Sequence, residues 1–206
     1  FLLLILPFII NAQTPCSNGF AGEYPCLDYD LMSRIPVTVL ANSNGNPEGS
    51  DIWGWTDSTT GKEYAIAAMT NSTAFVDISD PLNPVFLGRL DSSAGNNYWR
   101  DVKVYNNYAF IVSEAGGHGM QVFDLTRLRD VQNPPVEFNA DTHFTEFGSA
   151  HNIVINEESG YAYVVGTNRN GPYQGGPLFI NIQNPTSPVF EGGFSLFLVH
   201  READYA

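Results

Sequence analysis

Short runs in which apolar and polar residues alternate recur along this chain, and their order repeats. Val102 and Val104, and again Ile153 and Ile155, alternate with polar positions, the period of a half-buried strand. A polar turn follows each run, Asn106-Asn107 in one case and Asn156 to Gly160 in the other. Next comes a Tyr-Ala-aromatic or Tyr-Ala-aliphatic run: Tyr64-Ala65-Ile66, Tyr108-Ala109-Phe110, Tyr161-Ala162-Tyr163. A third run then ends in Asp or Asn: Phe75-Val76-Asp77, Val122-Phe123-Asp124, Phe179-Ile180-Asn181. Two of the units continue through a Pro-bounded turn, Asp80 to Pro84 and Asn184 to Pro188, into a fourth run, Val85 to Gly88 and Val189 to Gly192.

The units start at Asp51, Asp101 and Asn152, about 50 residues apart. Four short antiparallel strands per unit of roughly 40–50 residues is the pattern of a β-propeller blade. Period-2 alternation with Pro/Gly turns excludes a helical solenoid, and a β-sandwich would not repeat one four-step order three times. The expected fold is all-β, a β-propeller with about three four-stranded blades. Because propellers close with about four to eight blades, the chain is expected to be a fragment of a larger ring.

Residues 1–10, FLLLILPFII, form an apolar run too short to span a bilayer but of signal-peptide length. Small Ala12 suits the position before a cleavage site, so 1–12 is read as a truncated signal peptide; the alternative is a buried strand or helix. Residues 13–49 then form an N-terminal segment, and 50–206 the partial propeller. Cys16 and Cys26 are the only cysteines. They make a poor zinc site, and in an oxidising compartment they would close a disulfide loop.

Composition narrows the partners. With 9 Lys+Arg against 22 Asp+Glu the formal charge is −13, which argues against nucleic acid, whose phosphates need a basic face. The 43% of hydrophobic residues suffices for a core and excludes global disorder.

The segments Asp51 to Asp57 (DIWGWTD), Gly61 to Ala65, Trp99-Arg100-Asp101, Gly116 to Leu125 and Ala150 to Glu157 together are specific text. On them, residues 16 to about 193 resemble the bacterial choice-of-anchor B proteins, which carry LVIVD-type propeller repeats. The resemblance implies an exported propeller, secreted or held at the cell surface by a C-terminal anchor that this chain does not contain. It implies no enzymatic activity, and the cysteines sit where that family has its N-terminal pair. His200-Arg201 stands where the family's next blade opens with a His-Asp pair, so His200 is assigned to no site.

Propeller geometry stacks Asp51, Asp101 and Asn152 around the channel mouth, preceded by Ser50, Arg100 and His151. His118 falls on a second-to-third strand loop, where its glycine neighbours favour exposure, and His143 on a blade-to-blade loop. The candidate ligand-binding set is therefore Asp51, Arg100, Asp101, His118, His151 and Asn152. Asp51, Asp101, His151 and Asn152 also form a candidate set for a hard divalent cation such as Ca²⁺. The competing reading is structural: Asp and Asn at strand starts accept backbone N–H groups, and Arg100 neutralises a channel carboxylate. The Asp77 to Pro81 segment is read as a turn rather than a calcium loop. Trp53 and Trp55 share one sheet face and are assigned to packing between blades, with a carbohydrate platform as the alternative. Asn71-Ser72-Thr73 fits the glycosylation pattern.

No His-Glu-x-x-His, Gly-x-Ser-x-Gly, Walker or dinucleotide motif occurs. The favoured function is a surface binding or adhesion propeller for an extracellular protein or glycan. A metal-dependent, lactonase-like hydrolase at the channel mouth is the alternative.

Overall fold

The structure, a computed structural model, describes residues 13–42 and 46–195. The leader 1–12 and the tail 196–206, with His200, lie outside the described residues. A Cys16–Cys26 disulfide closes a small ribbon in which β1 (Phe20–Ala21) pairs antiparallel with β2 (Tyr24–Pro25). The single-turn helix α1 (Val37–Leu40) follows Pro36, a residue whose fixed φ suits a helix entry. Around it, Leu40 and Ala41 cover one face of the first blade at Ala67, Met69, Ala74 and Val76. No helix among the described residues is long and apolar enough to cross a membrane.

Three sheets follow, each built outward from an inner strand, and they are three four-stranded blades of a β-propeller. The first is β3 (Gly49–Thr56), β4 (Glu63–Met69), β5 (Ser72–Asp77) and β6 (Val85–Asp91), antiparallel throughout. The second opens with β7 (Arg100–Tyr105), β8 (Tyr108–Ser113) and β9 (Met120–Asp124). Asn106 and Asn107 both take positive φ, 49° and 65°, the conformation a two-residue hairpin needs to match the strand twist.

After β9 the chain departs from the simple repeat. A 3₁₀ turn (Leu125–Leu128) leads to β10 (Val136–Phe138), which pairs parallel with β6 as a fifth strand on the first sheet. Only then does β11 (Thr142–Phe144) pair with β9 and complete the second blade. His143 thus lies on a blade's outer strand, not on the blade-to-blade loop expected from sequence. Gly88 makes the detour fit: its φ is +150°, and a Cβ there would lie 2.1 Å from the Val136 carbonyl oxygen. The third blade is β12 (Asn152–Asn156), β13 (Tyr161–Val165), β14 (Leu178–Asn181) and β15 (Val189–Gly193).

The period-2 pattern sends alternate residues of the first and second sheets into two different cores. Tyr64, Ile66 and Phe75 of the first blade meet Val102, Ile111 and Phe123 of the second. The stacked Phe75 and Phe123 rings, 4.5 Å apart, contribute about 0.5–1.5 kcal/mol beyond their area burial. On the other face of the second blade, Phe110, Met120 and Val122 pack on Ile153, Val164 and Ile180. Of the two tryptophans assigned to inter-blade packing, Trp55 is buried in the core between the first and second blades, whereas Trp53 is 42% exposed and lies in none of the apolar cores. Trp55 stacks on Tyr64 at 5.0 Å and donates from Nε1 to Asn107 Oδ1, while Lys103 Nζ sits 4.4 Å over the Trp53 ring.

Candidate functional site

The three inner strands are pinned to one another by residues near their starts. Asp51 Oδ2 accepts the Val102 N–H of the next blade at 3.1 Å. Asp101 Oδ2 does the same for Ile153 N–H at 2.8 Å and also accepts from Asn152 Nδ2. The equivalence of Asp51, Asp101 and Asn152 therefore holds, and the two aspartates act as inter-blade rivets. Of the residues before them, Arg100 and His151 reach back to the preceding blade, at Ser92 and Glu114, whereas Ser50 bonds to the following one. Ser50 Oγ, for its part, accepts from the Arg100 main-chain N–H and donates to its carbonyl, both at 3.1 Å.

Lys103, two residues after Asp101 and so on the same strand face, forms ion pairs with both Asp101 and Asp51. It does the work that the sequence reading gave to Arg100, which forms no ion pair among the described residues. Burial and the neighbouring Asp101 push the Asp51 carboxyl up. Burial opposes Asp101 as well, but Asp51, Lys103 and the Ile153 N–H outweigh it and hold this carboxyl down. No group of three or more His, Cys, Asp or Glu among the described residues is placed to hold a metal ion.

The hydrogen-bond partner of His151 is Glu114 rather than an aspartate. Its Nδ1 donates to Glu114 Oε1 of the second blade at 2.6 Å, and its ring lies 5.5 Å from Trp99. His118 is overturned as an exposed ligand: it is 0% exposed. Gly117 and Gly119, with φ of 84° and 60°, fold its loop so that the imidazole points inward. The His118 carbonyl then accepts from Ser93 Oγ and from His143 Nε2, linking His118 to β11 through main chain.

What remains open to solvent is a cavity of about 210 Å³ lined by Ser50, Asp51, Tyr98, Trp99, Arg100, His151 and Asn152. A second, of about 500 Å³, adjoins it through His151 and is walled by Glu114, Ser149 and Arg169. Tyr98 and Trp99 meet edge to face at 4.8 Å, and Trp99 is 50% exposed. Sequence reasoning missed Tyr98, Trp99, Glu114 and Lys103 as site residues. The i, i+2 spacing of Asp101 and Lys103 was a usable signal; the pairing of Glu114 with His151 across two blades was not.

Two other sequence features are structural. Asp77 and Asp80 accept the N–H groups of Ser79 and Leu82, which is turn geometry rather than a calcium loop. Asn71, in the glycosylation pattern, is 5% exposed and so is badly placed for a glycan.

No curated protein matches the chain. Residues 62–92 and 97–117, which run from β4 through β8, match the family model of the LVIVD repeat, and this propeller segment therefore carries LVIVD-type repeats.

Proposed function

We propose that this chain is part of an exported, cell-surface propeller of the choice-of-anchor B type that acts as a binding module, with a glycan as the ligand of its channel mouth. The observation that carries the reading is the half-exposed Trp99, flanked by Tyr98 and His151 and facing a cavity edged by Asp51 and Asn152. An apolar ring face beside several hydrogen-bonding side chains matches the two surfaces of a pyranose, C–H on one side and hydroxyls on the other. The disulfide is compatible with an oxidising compartment. In the full-length protein a C-terminal anchor would hold the propeller at the surface.

The hydrolase alternative lacks an equivalent support. Lys103 and the Val102 and Ile153 N–H groups occupy the carboxylates that it would need for a cation. The test is titration of the protein with soluble neutral oligosaccharides, read by tryptophan fluorescence and calorimetry. Saturable binding lost in Trp99→Ala supports the reading. No binding, or binding unchanged by Trp99→Ala, overturns it.

A further inference from the structure

The connection between the second and third strands lengthens from blade to blade. It has two residues in the first blade (70–71), six in the second (114–119) and twelve in the third (166–177). The sheets need only the shortest of these, and long excursions of this kind are where binding residues concentrate. The third one is built rather than slack. Gly171 N–H donates to the Asn168 carbonyl, Gln174 N–H to the Gly171 carbonyl and Gly176 N–H to the Tyr173 carbonyl, at 2.8 to 3.1 Å. Gly193 of β15 makes room for Tyr173, since a Cβ there would lie 2.8 Å from the Tyr173 Cγ.

This loop walls a cavity of about 350 Å³ beside the apolar core of the second and third blades, a size that suits a small molecule. Three rings line it, Phe147, Tyr173 and Phe190, the last two with centroids 6.0 Å apart. Glu146 is the charged residue of the wall; it is exposed and has no ion pair or hydrogen bond among the described residues. Arg169, the one cationic side chain of the loop, lines the 500 Å³ cavity at His151 instead. Electron-rich ring faces beside an unpaired carboxylate, with no lysine or arginine in the wall, favour a cation with an apolar body and disfavour an anion. The net charge of −13 adds to that attraction. We infer that this cavity binds an organic ammonium ion. It shares no residue with the Trp99 cavity, so it stands independently of the glycan reading.

The experiment is a calorimetric titration of the whole chain with choline at constant ionic strength. The comparator is the neutral analogue in which carbon replaces the ammonium nitrogen. One choline per chain is expected to bind, and the neutral analogue about tenfold more weakly. Tyr173→Leu is expected to weaken choline about tenfold and Glu146→Gln about threefold, because an exposed carboxylate contributes less than a ring face. Trp99→Ala leaves the choline titration unchanged; loss of binding there would place choline in the other cavity and overturn the inference. Glycerophosphocholine distinguishes the sources: binding as tight as choline assigns the ammonium to a headgroup-type ester, and binding of choline alone assigns it to a free ammonium compound. No saturable binding by the wild type, equal binding of the neutral analogue, or unchanged binding in both Glu146→Gln and Tyr173→Leu overturns the inference. Glu146 is exposed and unpartnered, so Glu146→Gln keeps the fold, and the wild-type comparison of choline with its neutral analogue decides even if Tyr173→Leu does not fold.

Discussion

Asp57 and Arg129, 72 residues apart in sequence, face each other through two parallel hydrogen bonds of 2.7 and 2.8 Å. Asp57 ends the first blade's inner strand region, and Arg129 belongs to the detour after β9. The pair therefore ties the irregular connection of the second blade to the base of the first. Asp57 also caps its own turn, accepting from Thr59 N–H and Thr60 Oγ1. The Asp57 side chain is fully enclosed, whereas that of Arg129 is partly open to water.

That asymmetry decides what each substitution does. Arg129→Met strands a buried carboxylate and is expected to lower the unfolding temperature by roughly 5–10 °C. Asp57→Asn leaves an arginine that can reach solvent, so its effect is smaller. Differential scanning calorimetry of both variants checks the order, and an equal or reversed order would remove the argument.

The same pair sets an acid limit. Hydrogen bonds from Arg129, opposed by burial and reinforced by Thr59 and Thr60, hold the Asp57 carboxyl well below the usual carboxylate range. The unfolded chain therefore takes up this proton first as pH falls. Stability from Asp57 is complete above about pH 4 and is lost progressively below it. Asp57→Asn should flatten the acid limb of an unfolding curve recorded below pH 4.

His118 acts over a higher window. Burial, then the nearby Arg100, lowers its imidazole to about 4, and His143 is the other titratable group facing it. Here the folded state prefers the neutral ring while the unfolded chain protonates near 6.5. Stability is complete above pH 6.5 and falls as pH drops towards 4, by about 3 kcal/mol in all. In a carboxylate-free buffer, His118→Gln should remove this slope between pH 4 and 6.5 while leaving the Asp57 limb in place.

Much of this architecture was legible because each blade repeats its chemistry at the same place. Asp51, Asp101 and Asn152 could be stacked from sequence since each opens an inner strand, and the rivets at Val102 and Ile153 follow from that register. The detour from Leu125 to Asp141 was hidden because its strand β10 pairs parallel with β6 of another blade, a contact with no local pattern. His118 was misplaced for a related reason. Flanking glycines announce a tight turn but not the direction in which the turn points the side chain between them. The isolation of Arg100 depends on which blade face each alternate residue meets, and only the assembled sheets reveal it.

Gly88 offers the sharpest test of the detour itself. Its φ of +150° disfavours any side chain, and a Cβ would overlap the Val136 carbonyl at 2.1 Å and the Phe138 ring at 2.8 Å. Gly88→Ala must therefore push β10 away from β6 or distort β6, at a cost of about 1–3 kcal/mol. Pairing of β9 with β11 does not depend on Gly88, so the damage should be local. Hydrogen exchange of Gly88→Ala is expected to speed up at Val136 to Phe138 while Thr142 to Phe144 stay protected. Acceleration at both strands would mean that β10 and β11 dock as one unit. Unchanged exchange at β10 would mean that the parallel pairing is not what anchors the detour, leaving Arg129 on Asp57 as its main tether.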